Sequence, residues 1–266
     1  MQIMGILNLS PDSPVKHSVV KPEAILERAE KMIDEGAEII EIGGNSSSSR
    51  ARSISAEEEL HLVIPYVKIL ADMGFKISVD TWRSNVAEAA IDAGAWMIND
   101  INWGREKGML EAVSQSNVRY CMMYLRGEPK KHYLVDQSFT NPIEEIKQHL
   151  YKVADRLHAL GKPNDRIFID PGFGFGKSPQ TNMEILQKLH QLNRYPLLIS
   201  ASRKKFLSYY FKTDYHDQSN PELYEATIVF NTLAMLKNPA ILRVHDVRAI
   251  SIARDIMFHY LETEDN

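Results

Sequence analysis

Residues 24–43, AILERAEKMIDEGAEIIEIG, combine two apolar patterns whose alternation decides the fold. In the first half, apolar side chains recur at helical spacing, which predicts an amphipathic helix over Ala24–Glu35. Its apolar face is formed by Ile25, Ala29, Met32 and Ile33. The second half, Ile39–Gly43, is a short apolar run of strand length. The stretch therefore predicts a helix followed by a buried strand.

The same alternation continues in both directions along the chain. Segments of helix length, such as Ile143–Leu160, separate the short apolar runs. The candidate strands are Ile3–Asn8, Ile39–Gly43, Lys76–Asp80, Trp96–Asp100, Val118–Met123, Ile167–Asp170, Leu197–Ser200 and Ile241–Val244.

Apolar strands separated by amphipathic helices predict a parallel sheet covered by helices, which is an α/β fold. Uninterrupted repetition of the unit favours closure into a single (β/α)8 TIM barrel, and we expect residues 1–266 to form this one domain. An open, doubly wound sheet is the competing fold. It is less favoured because no glycine-rich dinucleotide-binding fingerprint follows the first strand.

Composition excludes several classes of protein. The chain is 44% hydrophobic and 25% charged, as is typical of a globular domain. Its formal net charge is -4 and it has no polybasic block, which argues against nucleic-acid or membrane partners. The single cysteine, Cys121, excludes an internal disulfide and zinc sites built from paired cysteines. With no apolar run of about 18 residues and no export signal, we expect a cytoplasmic protein.

Polar residues cluster where the predicted strands end, which is where a parallel barrel places its active site. Each of them alone could be a helix N-cap or a turn residue. Asp80 and Asn99, however, lie within or at the end of apolar strands, where burial without partners costs about 1 to 3 kcal/mol or more each. The set comprises Asn8, Asn45, Asp80, Thr81, Asn99, Asp100, Asp170, Ser202, Arg203, Lys204, Arg243, His245 and Asp246.

The residue types in this set suit a flat, nitrogen-rich heterocycle. A carboxylate can accept two parallel N–H bonds, and an asparagine can serve a ring nitrogen as donor or as acceptor. A lysine can donate to a ring carbonyl, and an arginine can stack on the ring face.

Seven short motifs occur in order at the ends of the predicted strands. The most distinctive is IDPGFGFGK, Ile169–Lys177. The others are Met4–Ser13, Ile42–Ser47, Ser78–Thr81, Ile98–Asp100, Ser202–Lys204 and Leu242–Asp246. Through them, essentially the whole chain resembles the dihydropteroate synthases, a family of pterin-binding barrels.

The resemblance implies a transferase of folate biosynthesis. It would condense 6-hydroxymethyl-7,8-dihydropterin pyrophosphate with p-aminobenzoate and release 7,8-dihydropteroate and pyrophosphate. The resemblance further implies Mg²⁺ as the cofactor and a homodimer.

The resemblance also implies roles for individual residues. Asp170 and Asn99 would hold the pyrimidinone edge of the pterin, and Asp80 its far side. Lys204 would face the carbonyl, and Arg243 the ring face. Asp80, Lys204 and Arg243 are thereby predicted to be the catalytic residues.

The pyrophosphate and the second substrate are assigned in the same way. Asn8 would bind Mg²⁺ that carries the pyrophosphate, with Arg243 and His245 contacting the anion. Phe175 is predicted to form a wall for the aromatic second substrate, although packing beneath its loop is an equal alternative.

The chain departs from the family pattern in two loops. In the first loop, Pro14 stands for an aromatic residue, Lys16 for an acid, and His17 and Ser18 for glycines. In the second, a Glu-Ser-Thr-Arg-Pro-Gly pattern is replaced by NSSSSR, residues 45–50. The arginine of that pattern is missing unless Arg50 or Arg52 substitutes, and a strand-five histidine is replaced by Tyr124.

These departures leave three interpretations. In a diverged synthase, Lys16, His17 and Arg50 would hold the anion, with weak activity and a raised KM for p-aminobenzoate. A paralogue would bind a pterin with little or no synthase activity. In the third interpretation, the loops are surface segments whose sequences have diverged without a change of function. A pterin-dependent methyltransferase is less favoured, because it does not account for the first-strand or Ser-Arg-Lys motifs.

Overall fold

The computed structural model describes residues 1–264 except Pro14, Lys16, His17, Ser49, Gln137, Thr213, Tyr215 and His216. Eight strands form one sheet of parallel neighbours in the order β6-β5-β4-β3-β2-β1-β8-β7. A parallel bridge between Ile169 and Leu197 joins β6 to β7, so the sheet closes into a barrel. The strands are β1 (Gln2–Asn8), β2 (Ile39–Gly43), β3 (Ile77–Asp80), β4 (Met97–Asp100), β5 (Arg119–Met123), β6 (Ile167–Asp170), β7 (Leu198–Ile199) and β8 (Ile241–Val244).

Helices follow the strands and cover the barrel. Several begin at a side-chain cap, which satisfies backbone N–H groups of the first turn. The longest capped examples start after Ser55, which forms a capping box with Glu58, and after Asn141. The helices are α1 (Ile25–Asp34), α2 (Ala56–Asp72), α3 (Ser84–Asp92), α4 (Met109–Ser114), α5 (Pro142–Ala159), α6 (Pro179–Lys188), α7 (Lys205–Ser208), α8 (Pro221–Met235) and α9 (Val247–Glu264).

A layer of apolar side chains fills the barrel interior below its mouth. It consists of Met4, Ile39, Met97, Cys121, Phe168, Leu198 and Ile241. Because side chains two residues apart on a strand share a face, the inward positions of the next layer lie two residues further along. That next layer is polar on most strands. The strands therefore place polar side chains at the barrel mouth, directly above the apolar layer.

The predicted barrel is confirmed, and the differences lie at strand ends. Lys76, Trp96 and Val118 precede the observed strands by one residue, and β7 is shorter than its predicted run. Cys121 is buried, and burial raises the pKa of its thiol well above the ordinary value.

Two surface features bear on the remaining expectations. Among the described residues, no helix combines the length and the apolar character needed to cross a membrane. Helices α8 and α9 expose apolar side chains, including Val229 (59%) and Ile256 (65%). The homodimer implied by the resemblance stays a prediction.

Candidate active site

A cavity opens at the C-terminal ends of the strands. All eight residues predicted for the site line it: Asn8, Asp80, Asn99, Asp170, Phe175, Lys204, Arg243 and His245. Asn99, Asp170 and Arg243 each stand two residues beyond a member of the apolar layer. Because side chains two residues apart on a strand point the same way, these residues all face the barrel interior. The barrel thereby brings together residues from distant parts of the chain.

One side of the cavity presents hydrogen-bond acceptors. Asp170 is buried, and its Oδ1 accepts the Gly172 N–H at 2.7 Å. Burial raises the pKa of Asp170 to about 6, opposed by that hydrogen bond and by Lys204. Asn99 donates its Nδ2 to Glu41 Oε1 at 2.8 Å, and its Oδ1 is buried without a donor among the described residues. This side therefore suits a ligand with N–H groups.

An arginine lies between two carboxylates across the cavity. Arg243 donates Nη2 to Asp80 Oδ2 at 2.8 Å, and its Nε donates to Glu41 Oε2. Its Nη1 lies 3.3 Å from the Ser200 hydroxyl. Burial raises the pKa of Asp80 to about 7, and the Arg243 charge opposes this rise. The ion pairs hold the guanidinium at the cavity wall.

Glu41 is a site residue that the sequence analysis missed. It lies inside β2 rather than at a strand end, and it has no exposed surface. Its signal was a charged residue within the apolar run IIEIG, two residues beyond Ile39, since a buried carboxylate needs partners. Those partners are Asn99 and Arg243.

Lys204 and Phe175 lie together at the cavity wall. The Lys204 Nζ is 4.2 Å from the centroid of the Phe175 ring. Burial, followed by repulsion from Arg243, lowers the pKa of Lys204 to about 8, while Asp170 and Asp80 oppose this. Within the described part of the chain, its ammonium group donates no hydrogen bond. Phe175 also contacts the His132 ring at 5.1 Å between centroids.

Two other cations of the motifs hold loops in place. Arg203 has a φ of 52° and donates Nε and Nη2 to Asp246 at 2.8 and 2.9 Å. Lys177 is buried and donates Nζ to the carbonyls of Gly172 and Phe175 at 2.7 and 3.0 Å. Although Arg203 reaches the cavity, it binds Asp246 of the loop after β8, and Lys177 binds carbonyls of its own loop after β6, so both cations stabilise the barrel mouth.

The first loop folds back onto Asn8. The Asn8 Nδ2 donates to the hydroxyls of Ser18 at 2.7 Å and Ser13 at 3.2 Å. The loop also contacts the second loop, because Asp12 Oδ2 accepts the Arg52 N–H at 3.1 Å. The two loops are therefore joined beside the cavity.

The cationic residues predicted to hold the anion differ in where the structure places them. Lys16 and His17 lie outside the described residues. Arg50 is exposed and is not among the residues that line the cavity, and Arg52 pairs with Glu58 at 3.0 Å. His245 does line the cavity, with Nδ1 3.0 Å from the Ser202 hydroxyl.

Asp100 and Tyr124 support the loops around the site. The Asp100 carboxylate accepts the Tyr120 hydroxyl at 2.6 Å and the backbone N–H groups of Asn102 and Gly104. Burial raises the pKa of Asp100 to about 6. Tyr124 donates its hydroxyl to Glu145. Asp100 thus holds the loop after β4.

Comparisons with known proteins agree with this architecture. The sequence pattern of a family described as pterin binding enzyme matches residues 4–245. The chain is 32% identical to the dihydropteroate synthase of Clostridium beijerinckii over 92% of this chain and 88% of that one. It is 35% identical to the folic acid synthesis protein fol1 of Schizosaccharomyces pombe over 93% of its own length, but spans only 34% of that protein.

A solved structure gives the same result. The Burkholderia cenocepacia dihydropteroate synthase complexed with 7,8-dihydropteroate superposes with a TM-score of 0.85 at 31% identity, covering 99% of this chain and 92% of that one. The fold and the site define a pterin-binding barrel. The chain belongs to the dihydropteroate synthase family of pterin-binding enzymes.

Proposed function

We propose that this protein joins 6-hydroxymethyl-7,8-dihydropterin pyrophosphate to p-aminobenzoate and forms 7,8-dihydropteroate and pyrophosphate. The observation that carries the proposal is the polarity of the cavity, with the Asp170 and Asn99 acceptors on one side and the Lys204 ammonium on another. The Burkholderia relative, complexed with 7,8-dihydropteroate, supports the same product. We further propose that the chain acts as one domain.

The pterin would be held by its polar edges. The Asp170 and Asn99 oxygens would accept the N–H groups of the aminopyrimidinone edge, and Lys204 would donate to the ring carbonyl. The ring fits a site where the Asn99 Oδ1 and the Lys204 Nζ have no hydrogen-bond partner among the described residues.

The reaction breaks the bond between the pterin methylene carbon and the pyrophosphate oxygen, and forms a bond from that carbon to the arylamine nitrogen. Positive charge develops on the pterin as the pyrophosphate leaves, and the Asp80 carboxylate would stabilise it. Arg243 and His245, which line the same cavity, would contact the anion. The amine loses its proton to solvent.

Asn8 is the residue that would hold Mg²⁺. Both hydrogens of its amide are directed at Ser13 and Ser18, which leaves the carbonyl oxygen as its available ligand atom. Mg²⁺ prefers oxygen ligands and commonly uses one or two protein groups beside substrate phosphates, so the residue fits the ion. When bound, the ion would supply charge that neutralises the leaving group.

The second substrate would enter between the loops and Phe175. Because Arg50 is exposed and does not line the cavity, we expect p-aminobenzoate to bind weakly and its KM to be raised. The pterin-binding paralogue is the alternative, since it requires the pterin pocket and not this loop chemistry.

Titration calorimetry with the dihydropterin and with its pyrophosphate distinguishes the synthase from the pterin-binding paralogue. A large Mg²⁺-dependent gain in affinity from the pyrophosphate is expected of the synthase. Equal affinities for the two ligands would favour the paralogue and count against the proposal.

Replacing Lys204 with methionine keeps most of the stem volume but removes the donor. We expect dihydropterin affinity to fall about tenfold or more, because a hydrogen bond from a charged donor is lost. The thermal midpoint should hold, since the Lys204 ammonium donates no hydrogen bond within the described chain. Lys177→Met is the matched control and should lower the thermal midpoint, because three buried carbonyls lose their donor. A large drop in stability without weaker binding in Lys204→Met would make Lys204 structural.

Asn8→Ala tests the metal assignment. We expect the Mg²⁺-dependent part of the pyrophosphate affinity to disappear while the free dihydropterin binds nearly as before. Calorimetry with and without Mg²⁺ measures both quantities in one preparation. An unchanged response to Mg²⁺ would remove Asn8 from the metal site.

Dihydropterin affinity should depend on pH through Asp170. Its pKa of about 6 lies above the ordinary carboxyl value, so the acceptor form is lost as the pH falls through 6. Affinity should therefore drop roughly tenfold between pH 7 and pH 5, following the ionised fraction. Circular dichroism at each pH verifies that the protein stays folded. A flat profile over this range would contradict an ionised Asp170 in binding.

A further inference from the structure

Glu41 contacts two of the side chains that line the cavity, but it does not line the cavity itself. Its Oε1 accepts the Asn99 Nδ2 at 2.8 Å and lies 3.4 Å from the Ser78 hydroxyl. Its Oε2 accepts the Arg243 Nε. With no exposed surface, this carboxylate connects the Asn99 amide to the Arg243 guanidinium from below the ligand site.

The contact decides which way round the Asn99 amide lies. An amide offers a donor on its nitrogen and an acceptor on its oxygen, so donation from Nδ2 to Glu41 leaves Oδ1 for other partners. Oδ1 is buried and accepts no hydrogen bond from the described residues. Leaving a buried carbonyl oxygen without a donor is unfavourable, and an N–H group of a ligand would satisfy it.

We propose that Glu41 is a positioning residue that fixes the Asn99 amide with its oxygen toward the bound ring, and so selects rings that carry an N–H group there. This inference rests on the proposed function and deepens it, because it assigns the specificity at one edge of the ring. A ring with a bare acceptor nitrogen at the same place would meet the Asn99 oxygen and be repelled.

The role requires a carboxylate and not merely a polar side chain of the same size. A carboxylate accepts with both oxygens, one for Asn99 and one for Arg243. In Glu41→Gln, the single amide oxygen is drawn to Arg243, because hydrogen bonds from a charged donor are the stronger ones. The glutamine NH2 then faces Asn99, which must turn its own oxygen away from the ring and present its NH2 to the cavity.

Exchanging the two groups restores the arrangement. In Glu41→Gln with Asn99→Asp, the glutamine NH2 donates to one oxygen of the new aspartate, and its second oxygen faces the ring. The pair keeps its total charge and its hydrogen bonds, but the carboxylate and the amide trade places.

The test is calorimetric titration of 6-hydroxymethyl-7,8-dihydropterin into the wild type, E41Q and E41Q/N99D. We expect E41Q to lose about tenfold or more in affinity, and the double variant to recover to within about threefold of wild type. Ser78→Ala is the matched control, because it removes a contact to Glu41 that touches neither Asn99 nor Arg243. It should bind within about threefold of wild type.

Wild-type affinity in E41Q would overturn the inference, and so would a double variant that binds as weakly as E41Q. If E41Q does not fold, the comparison of the double variant with wild type decides the question. A double variant that does not fold also counts against the inference, because the exchange is expected to conserve the hydrogen bonds. Failure of the wild type to bind the dihydropterin would instead overturn the proposed function, and this inference with it.

Discussion

Asp170→Asn is expected to weaken dihydropterin binding severely. The Gly172 N–H binds Oδ1 at 2.7 Å and will hold the amide oxygen of the variant in that place. The new NH2 group then faces the ring, where a donor meets donors and the charge is gone. We put the loss at roughly 2 to 4 kcal/mol, or about 30-fold to 1,000-fold in affinity, measured by titration calorimetry.

Asp100→Asn is the matched control for this change. Asp100 is also a buried carboxylate at a strand end, with a pKa raised to about 6, but it binds Tyr120 and the loop after β4. Its loss should lower the thermal midpoint and leave dihydropterin affinity within about threefold. Binding by Asp170→Asn within threefold of wild type would remove Asp170 from the pterin site.

Asp80→Asn should reduce turnover more than affinity. Its proposed role is to stabilise charge that develops only as pyrophosphate leaves, and a group used in the transition state lowers kcat when it is lost. We expect kcat to fall about 100-fold, with the affinity for the pterin pyrophosphate within about threefold of wild type. Arg243 keeps its contacts with Glu41 and Ser200 in this variant.

Glu59→Gln controls for the loss of a buried carboxylate that is paired with an arginine. Glu59 accepts Arg83 at 2.8 Å and Thr81 at 2.7 Å, and it does not line the cavity. Its loss should lower stability and leave kcat within about threefold. If Asp80→Asn loses kcat and affinity by equal factors, Asp80 acts in binding and not in the chemical step.

The sequence predicted the barrel because its signal is repeated. A strand of four or five apolar residues followed by an amphipathic segment recurs along the whole chain, and an error at one strand end does not change the topology. The strand-end side chains could be pooled for the same reason, because parallel strands bring their C-terminal ends to one mouth. Asp80, Asn99 and Asp170 were found in this way.

Which of the polar side chains face the cavity depends on side-chain direction, and residue type does not reveal that direction. Lys177, Arg203 and Lys204 are all cations in the motifs that carry the family resemblance, yet Lys177 binds loop carbonyls and Arg203 binds Asp246. Lys204 alone of the three donates no hydrogen bond in the described structure. Glu41 could not be predicted from strand ends, because it lies inside β2. It belongs to the polar layer, two residues beyond Ile39 of the apolar layer. Counting inward positions from the apolar layer would have found it.

The most direct test of the proposed function is steady-state formation of 7,8-dihydropteroate from the pterin pyrophosphate and p-aminobenzoate with Mg²⁺. Product should form at a rate that saturates with p-aminobenzoate, with a raised KM, and Asp80→Asn should slow it. Robust turnover at micromolar p-aminobenzoate would keep the function but refute the expected weakening by the altered loops. No product, despite tight and Mg²⁺-dependent binding of the pterin pyrophosphate, would contradict the proposed synthase activity.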